Sequence, residues 1–487
     1  DIINLLLTHP KIEINRECFK NCKKLTHIAL PSSMTQIPKA AFSNCESLIQ
    51  VIIPSTVEEI GDNAFYCCTS LQTIDFPDSV ISIGDNAFNG CCSLKQIEFP
   101  PFLEKIGNIS FSDCKLLKSI TISPTVKHIG FFAFHNCSIT EIDIPSSVEL
   151  IDDNAFCGCK ITHMNIPSSV KIKFSVFDGC IDVSLSNIMT VIPKDCFYKS
   201  STLKHILIPS SIKKIKNRSF YHCKSLEKVD IPSSVKKINT YAFEGCKSIR
   251  EIIIPPSINY IESSLFSGCI SLTHISVPSM VTKIDDKAFE GCSSLEEIII
   301  PISVTFIGKQ AFSGCISLKK FTIPPLLTRI EKLTFYQCSS LEEIIIPSSI
   351  EKIKYSGFHS CKSFKKVTIP SSVTTIGGNA FANCTSLTEI ILPSSPIKIK
   401  YGAFSKCTSL TNINLLSLIN PIDKSLFQQC SSLTSIIIPS STISIGNNAF
   451  QDCTSLAQIT IPSSVTSIED YAFSGCSKLT QITIPSS

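Results

Sequence analysis

The chain has 487 residues, an apolar fraction of 43% and a net charge of +4, with both signs interspersed. That balance excludes a strongly basic nucleic-acid surface. No apolar run reaches the roughly eighteen residues that a membrane-spanning helix needs, so no membrane insertion is predicted, while the apolar content suffices for a continuous core.

The first segment, Asp1–Asn15 (DIINLLLTHPKIEIN), differs from all that follows. It reads as an amphipathic capping helix whose Ile2, Leu5 and Leu6 cover the end of a repeat array, since such arrays need covered ends. It also resembles the second helix and exit of an ankyrin repeat. The chain opens without a basic stretch or a cleavage signature, so a signal peptide is absent or removed. Ser487 falls inside a repeat, and the sequence reads as a piece of a longer protein.

From residue 16 onward the chain repeats itself. Phe19, Phe42, Phe65, Phe88, Phe111 and Phe134 are 23 residues apart, and Phe197 to Phe473 keep the same step. Between these runs, Phe156 and Phe177 mark repeats of 22, 21 and 20 residues. A unit of this size cannot bury its own apolar face, whereas stacked units can. The predicted fold is a mainly β repeat solenoid, right-handed, with about 21 repeats and one strand per repeat in one long parallel sheet. The phenylalanines should form a column inside it.

Residues 231–253 show the logic of one unit. An L-x-x-I-x-I run alternates apolar and polar residues, as a strand with one buried face does. Pro232 ends the strand because it has no N–H for a ladder. Ser233 and Ser234 turn the chain and bond its free backbone groups. Val235 and Ile238 return to the core. Glycine often follows, as at Gly61, Gly84, Gly377 and Gly446, and suggests left-handed backbone there. The residue before the cysteine, as at Gly291, Asn383 and Asp452, suggests the same.

The motif L-x-x-I-x-I-P-S-S-V-x-x-I-G-x-x-A-F-x-G-C-x-S-L, nearly verbatim in Ile369–Leu387 and Ile461–Leu479, resembles the BspA-like, or Treponema-type, leucine-rich repeat. The resemblance covers residues 16–487. It implies a leucine-rich-repeat solenoid and a surface or secreted protein, in several relatives an adhesin for host matrix proteins; the residues themselves suggest no cofactor. The composition, rich in Ile, Asn, Lys and Ser and without Trp, resembles an AT-rich protozoan version. The departures concentrate in residues 135–200, which should be irregular. Repeats there are short, the strand near Val183–Leu185 looks poorly formed, and Ser200 replaces the cysteine; elsewhere Ser123 and Leu416 replace the proline.

Cysteine follows the phenylalanine by three residues in 20 of 21 repeats. Zinc needs four ligands converging on one point, and in-register side chains run too nearly parallel for disulfides. The preferred reading is a small buried thiol filling a tight turn. Cys67–Cys68 and Cys91–Cys92, in adjacent repeats, are the places where a bridge could form. So many unpaired thiols suit a reducing, cytoplasmic compartment, against the surface location that the resemblance implies. His27, His163, His205 and His274 share one outward strand position, layers apart, and read as exposed polar residues rather than metal ligands. No nucleophile triad, phosphate loop or calcium loop emerges, so the chain reads as a non-enzyme.

The informative positions are those that the repeat leaves free. Two of them carry Glu296–Glu297, Lys319–Lys320, Glu342–Glu343 and Lys365–Lys366 in successive repeats, which become acidic and basic rungs in a parallel sheet. They serve register and solubility, or form a charged ligand patch. A third position reads Ile253, Ser276, Ile299, Thr322, Ile345, Thr368, Ile391, Asn414, Ile437, Thr460, a double repeat of 46 residues. The exposed rungs Ile253, Ile299, Ile345, Ile391 and Ile437 reflect strand propensity alone or an interaction patch. The function predicted is a protein-binding solenoid, either a surface adhesin for a host matrix or cell-surface protein or an interaction scaffold. The alternatives are a structural spacer, or the recognition part of a larger protein.

Overall fold

The computed structural model describes residues 12–419 and 421–483. The expected capping helix with Ile2, Leu5 and Leu6 lies outside the described residues, of which only 12–15 fall in that segment. Among the described residues there is no α-helix. The chain is a parallel β-solenoid, and it divides into two units, Asp1–Cys246 and Lys247–Ser487.

Most turns of the solenoid contribute two short strands, not the one expected, and several front stretches make only isolated bridges. The front strand is the x-I-x stretch, for example Gln96–Glu98, with its central Ile97 buried and both neighbours exposed. The back strand is the x-I pair at the end of V-x-x-I, for example Lys105–Ile106. Both pair in parallel with the equivalent residues of the next repeat, as in Gln96↔Ser119 and Ile106↔Ile129. The back strand escapes sequence reading because two residues are too few to show an alternation.

Local chemistry closes each turn. In P-S-S-V the valine N–H donates to the proline carbonyl, 3.0 Å in Val235 to Pro232, which makes a β-turn. The second serine reaches back a repeat, as Ser234 Oγ donates to the Ile212 carbonyl at 2.7 Å. The residue before the cysteine has positive φ, 71° at Gly291 and 60° at Asn383. Gly61 and Gly84 do not, against expectation. They are glycine because a Cβ would lie 2.7 Å from the Ile37 carbonyl oxygen and the Asp62 nitrogen of the preceding repeat. The left-handed residue comes two positions later, at Asn63 and Asn86.

The phenylalanines form a buried column within each unit. In the second unit, rings from Phe266 to Phe473 stack at 5.3–6.1 Å with interplanar angles of 1–17°. Burying each is worth about 1.5–3 kcal/mol. Beside them runs a second column. In the regular repeats the motif cysteine's thiol donates to the carbonyl of the preceding repeat's phenylalanine, 3.1 Å from Cys45 to Phe19 and 3.2 Å from Cys315 to Phe289. All 25 cysteines are free, so the bridges considered at Cys67–Cys68 and Cys91–Cys92 are not formed.

Both columns falter in the first unit between Phe177 and Phe197, whose rings are 6.2 Å apart and tilted by 50°. The strand Asp182–Leu185, expected to be poor, is instead four residues long and holds the front ladder together by changing register. Its end pairs back, His163↔Ser184 and Met164↔Leu185, while its start pairs forward, Asp182↔His205 and Val183↔Ile206. The slip is two residues, so Val183 and Leu185 both stay buried. The back ladder has no such spare length. The ladder that begins at Gln36–Ile37 ends at Lys171–Ile172, and a new one starts at Val191–Ile192. Lys173 N–H donates to the Ile151 carbonyl and Lys216 N–H to the Ile192 carbonyl, each at 3.1 Å. The equivalent residue between them is Pro193, which has no N–H to give.

Candidate protein-binding face

The front stretches of the second unit, some paired as strands and some only by isolated bridges, carry the isoleucine and charged rungs singled out from the sequence. Their geometry follows from the strand period of two: with the central isoleucine buried, its neighbours must face outward. Ile253, Ile299, Ile345, Ile391 and Ile437 are 39–76% exposed. Backbone pairing places Ile253 beside Ser276 and Ser276 beside Ile299, Thr368 beside Ile391, and Asn414 beside Ile437. Apolar and polar rungs therefore alternate across neighbouring strands.

The charged rungs lie on the same face. Glu296, Glu297, Lys319, Lys320, Glu342, Glu343, Lys365 and Lys366 are all exposed. Bridges Glu297↔Lys320 and Lys320↔Glu343 put unlike charges on adjacent strands. Lys319 Nζ meets Glu296 at 3.0 Å, and this contact lowers the Glu296 carboxyl below its usual range. Lys366 pairs forward with Glu389 at 2.9 Å. His27, His163, His205 and His274 are exposed, and His205 Nδ1 lies 2.6 Å from Asp182. Among the described residues no group of three or more His, Cys, Asp or Glu could hold a metal ion, and no helix is long and apolar enough to cross a membrane.

Two exposed apolar residues were not read as candidates from the sequence, although Leu416 was noted there for replacing the proline. Ile302 and Leu416 are 77% and 66% exposed. Both stand where the repeat has a turn residue, serine after the proline for Ile302 and the proline itself for Leu416, and that departure is the signal that could have found them. The corresponding third position in the first unit is mostly polar, with Asp75, Glu98, Thr121, Asp143, Asn165 and Asp230, although Ala29, Ile52 and Leu207 are exceptions. There Asn165 Nδ2 donates to Asp143 at 2.6 Å instead of presenting an apolar rung.

The family description "BspA type Leucine rich repeat region (6 copies)" matches residues 12–124, 104–226, 171–296, 282–410 and 374–487. Among solved structures, a leucine rich cell surface protein from Faecalibacterium prausnitzii is 28% identical, over 71% of this chain and 88% of that one, with a TM-score of 0.44. A leucine-rich repeat protein from Bacteroides ovatus is 27% identical, over 94% and 92%, with a TM-score of 0.42. The leucine-rich repeat protein of T. pallidum is 29% identical, over 33% and 77%, with a TM-score of 0.30. No curated protein sequence matches significantly.

Proposed function

Because the chain belongs to the BspA-type leucine-rich-repeat family, we propose that it is a non-catalytic protein-binding solenoid, an adhesin or interaction scaffold, whose front strands between Glu251 and Ile437 receive the partner. The observation that carries this reading is the in-register alternation of exposed isoleucines with Ser, Thr and Asn. Strand propensity alone would apply equally to the intervening rungs. Flanking charged rungs supply the polar rim that protein interfaces have around an apolar centre. Alternate rungs repeat at about 9.6 Å, twice the strand spacing. A polyproline-type segment rises about 9.3 Å per three residues, so one side chain per turn would meet each isoleucine. The partner surface favoured is thus an extended segment or loop of another protein.

The buried thiols leave a surface location open. Burial pushes Cys315, Cys407 and Cys453 up to about 12, and a protonated buried thiol is inert to oxidation and exchange.

The test replaces Ile299, Ile345 and Ile391 together by Thr, which keeps β-branching and hence the strands. Parent and variant are used side by side as bait, with bound proteins quantified by mass spectrometry. The proposal expects a partner retained by the parent and lost by the variant, with unchanged circular dichroism. Equal retention by both would move the site elsewhere, and no specific partner for either would favour a spacer.

A further inference from the structure

The break in the back ladder of the first unit opens a cleft of about 550 Å³ beside the strand Lys171–Ile172, a size typical of small-ligand sites. Five cations line it: Lys171, Lys173, Lys194, Lys216 and Arg218. The two carboxylates of the lining, Asp153 and Asp195, are already engaged. Asp153 accepts the Phe174 N–H at 2.8 Å. Asp195 receives Arg218 through Nη2 at 2.9 Å and Nε at 2.8 Å, and Lys194 stands off at 3.8 Å. Lys173 is held by Asp152 at 2.5 Å. Lys216 spans two repeats to donate to the Ser168 carbonyl at 2.8 Å, a neutral acceptor that uses one of its three donors. Lys171 has no ion pair among the described residues. Positive charge therefore exceeds negative where the ladder is open.

One wall of the cleft is aromatic. Phe174 is half-exposed and packs edge-on against Tyr198 at 5.8 Å. Arg218 lies over the Tyr198 ring at 5.3 Å. An inserted peptide strand does not fit. It would need its neighbours about 9.6 Å apart, whereas the front ladder stays paired through the same repeats. The geometry points to a binding site for a small oxyanion ester, a phosphate or sulfate group on a flat apolar carrier. The lysines take the oxyanion, and the half-exposed Phe174 takes the carrier, since Tyr198 is already stacked on Tyr221. A phosphate monoester, with close to two negative charges at neutral pH, matches the surplus better than a singly charged sulfate.

Isothermal titration calorimetry on the whole chain, at fixed ionic strength, tests this with phenyl phosphate, phenyl sulfate and inorganic phosphate. Phenyl phosphate should bind saturably and more tightly than inorganic phosphate. Replacing Lys171 and Lys194 by Met, which leaves the Lys216 bridge intact, should weaken phenyl phosphate by about tenfold or more. Phe174→Ala should bring phenyl phosphate down to the level of inorganic phosphate. Replacing Lys319 and Lys320 by Met, in the other unit, should leave phenyl phosphate binding unchanged. Tighter binding of phenyl sulfate than of phenyl phosphate would keep the site and assign it to sulfate esters. The proposal is overturned if neither ester binds saturably, or if the Lys319/Lys320 variant loses as much as the cleft variant, since the attraction would then be unspecific charge.

Discussion

The repeats from Phe266 to Phe473 and the stretch from Phe134 to Ser200 use one motif with opposite results. In the regular repeats three ties act together at every step: stacked rings, a thiol bond near 3.2 Å, and backbone pairing. In the irregular stretch they separate. The front ladder survives a slip of two residues, because an even slip keeps every side chain on its own face. The back ladder, only two residues wide, cannot slip and stops. Cys180 finds only the Cys159 carbonyl, at 3.8 Å, and Ser200, in the cysteine's place, has a buried hydroxyl without a hydrogen-bond partner. At the 20-residue repeat the four-residue front strand absorbs the shortening and the two-residue back strand, with Pro193 beside it, leaves a gap, although the same two-residue strands stay paired through the repeats of 22 and 21.

Alkaline pH should erase this contrast with the largest effect. Folded thiols such as Cys315 and Cys407 are raised to about 12 by burial, against about 8.5 in an unfolded chain. A raised folded value means that the stabilisation is complete below the unfolded value and is lost as pH climbs through the folded one. Circular dichroism should hold to about pH 8.5 and then fall progressively toward pH 12. Hydrogen exchange in 315–453 should meanwhile approach the rate of 168–194. A flat profile to high pH would show that the thiols contribute no stability.

Single rings come next. Phe358, stacked at 5.3 and 5.4 Å on its two sides, should cost about 3–5 kcal/mol when replaced by Ala. Phe177→Ala should cost less, because its contact with Phe197 is already tilted. Urea unfolding followed by hydrogen exchange separates the two, and equal costs would make the tilt irrelevant. A repair should work in the other direction. Ser200→Cys removes an unsatisfied buried hydroxyl and offers a thiol to the Phe177 carbonyl, with a gain of about 1 kcal/mol. It should appear as slower exchange in 177–200, and unchanged exchange would mean that the carbonyl is out of reach. The smallest effect belongs to the exposed rungs of the regular stretch. Lys319→Ala should lower stability by only about 0.2–1 kcal/mol, and a larger loss in urea would reveal a structural role for that ion pair.

Much of this was legible in the residues themselves. The phenylalanine step, the strand-ending proline and the left-handed residue before each cysteine depend on local chemistry, and the structure has them. The outward position of Ile253 or Lys319 follows from the period of two along one strand. The second ladder was not legible, since Lys105–Ile106 carries no alternation. Gly61 was assigned the wrong reason, because a close approach to the Ile37 carbonyl is a property of two repeats, not one. The register change at Asp182–Leu185 depends on which neighbour claims which half of the strand, and the cleft exists only because Lys216 and Arg218 come to face Lys171 across missing residues. No single repeat contains that information.

The thiol bonds have one further consequence, for how such a chain comes to be folded. Each bond reaches back 26 residues in a regular repeat, as from Cys338 to Phe312, and the phenylalanine N–H reaches forward by less, from Phe312 to the Thr334 carbonyl. The distance along the chain between partners is therefore set by the repeat and does not grow with the number of repeats. Closing each new loop costs the same entropy as closing the last one. A nascent chain can dock its repeats one after another as they emerge, each new cysteine satisfying a carbonyl that the preceding turn left waiting. Lengthening the protein by whole repeats adds time in proportion to length, without the steep slowing that long-range pairing imposes.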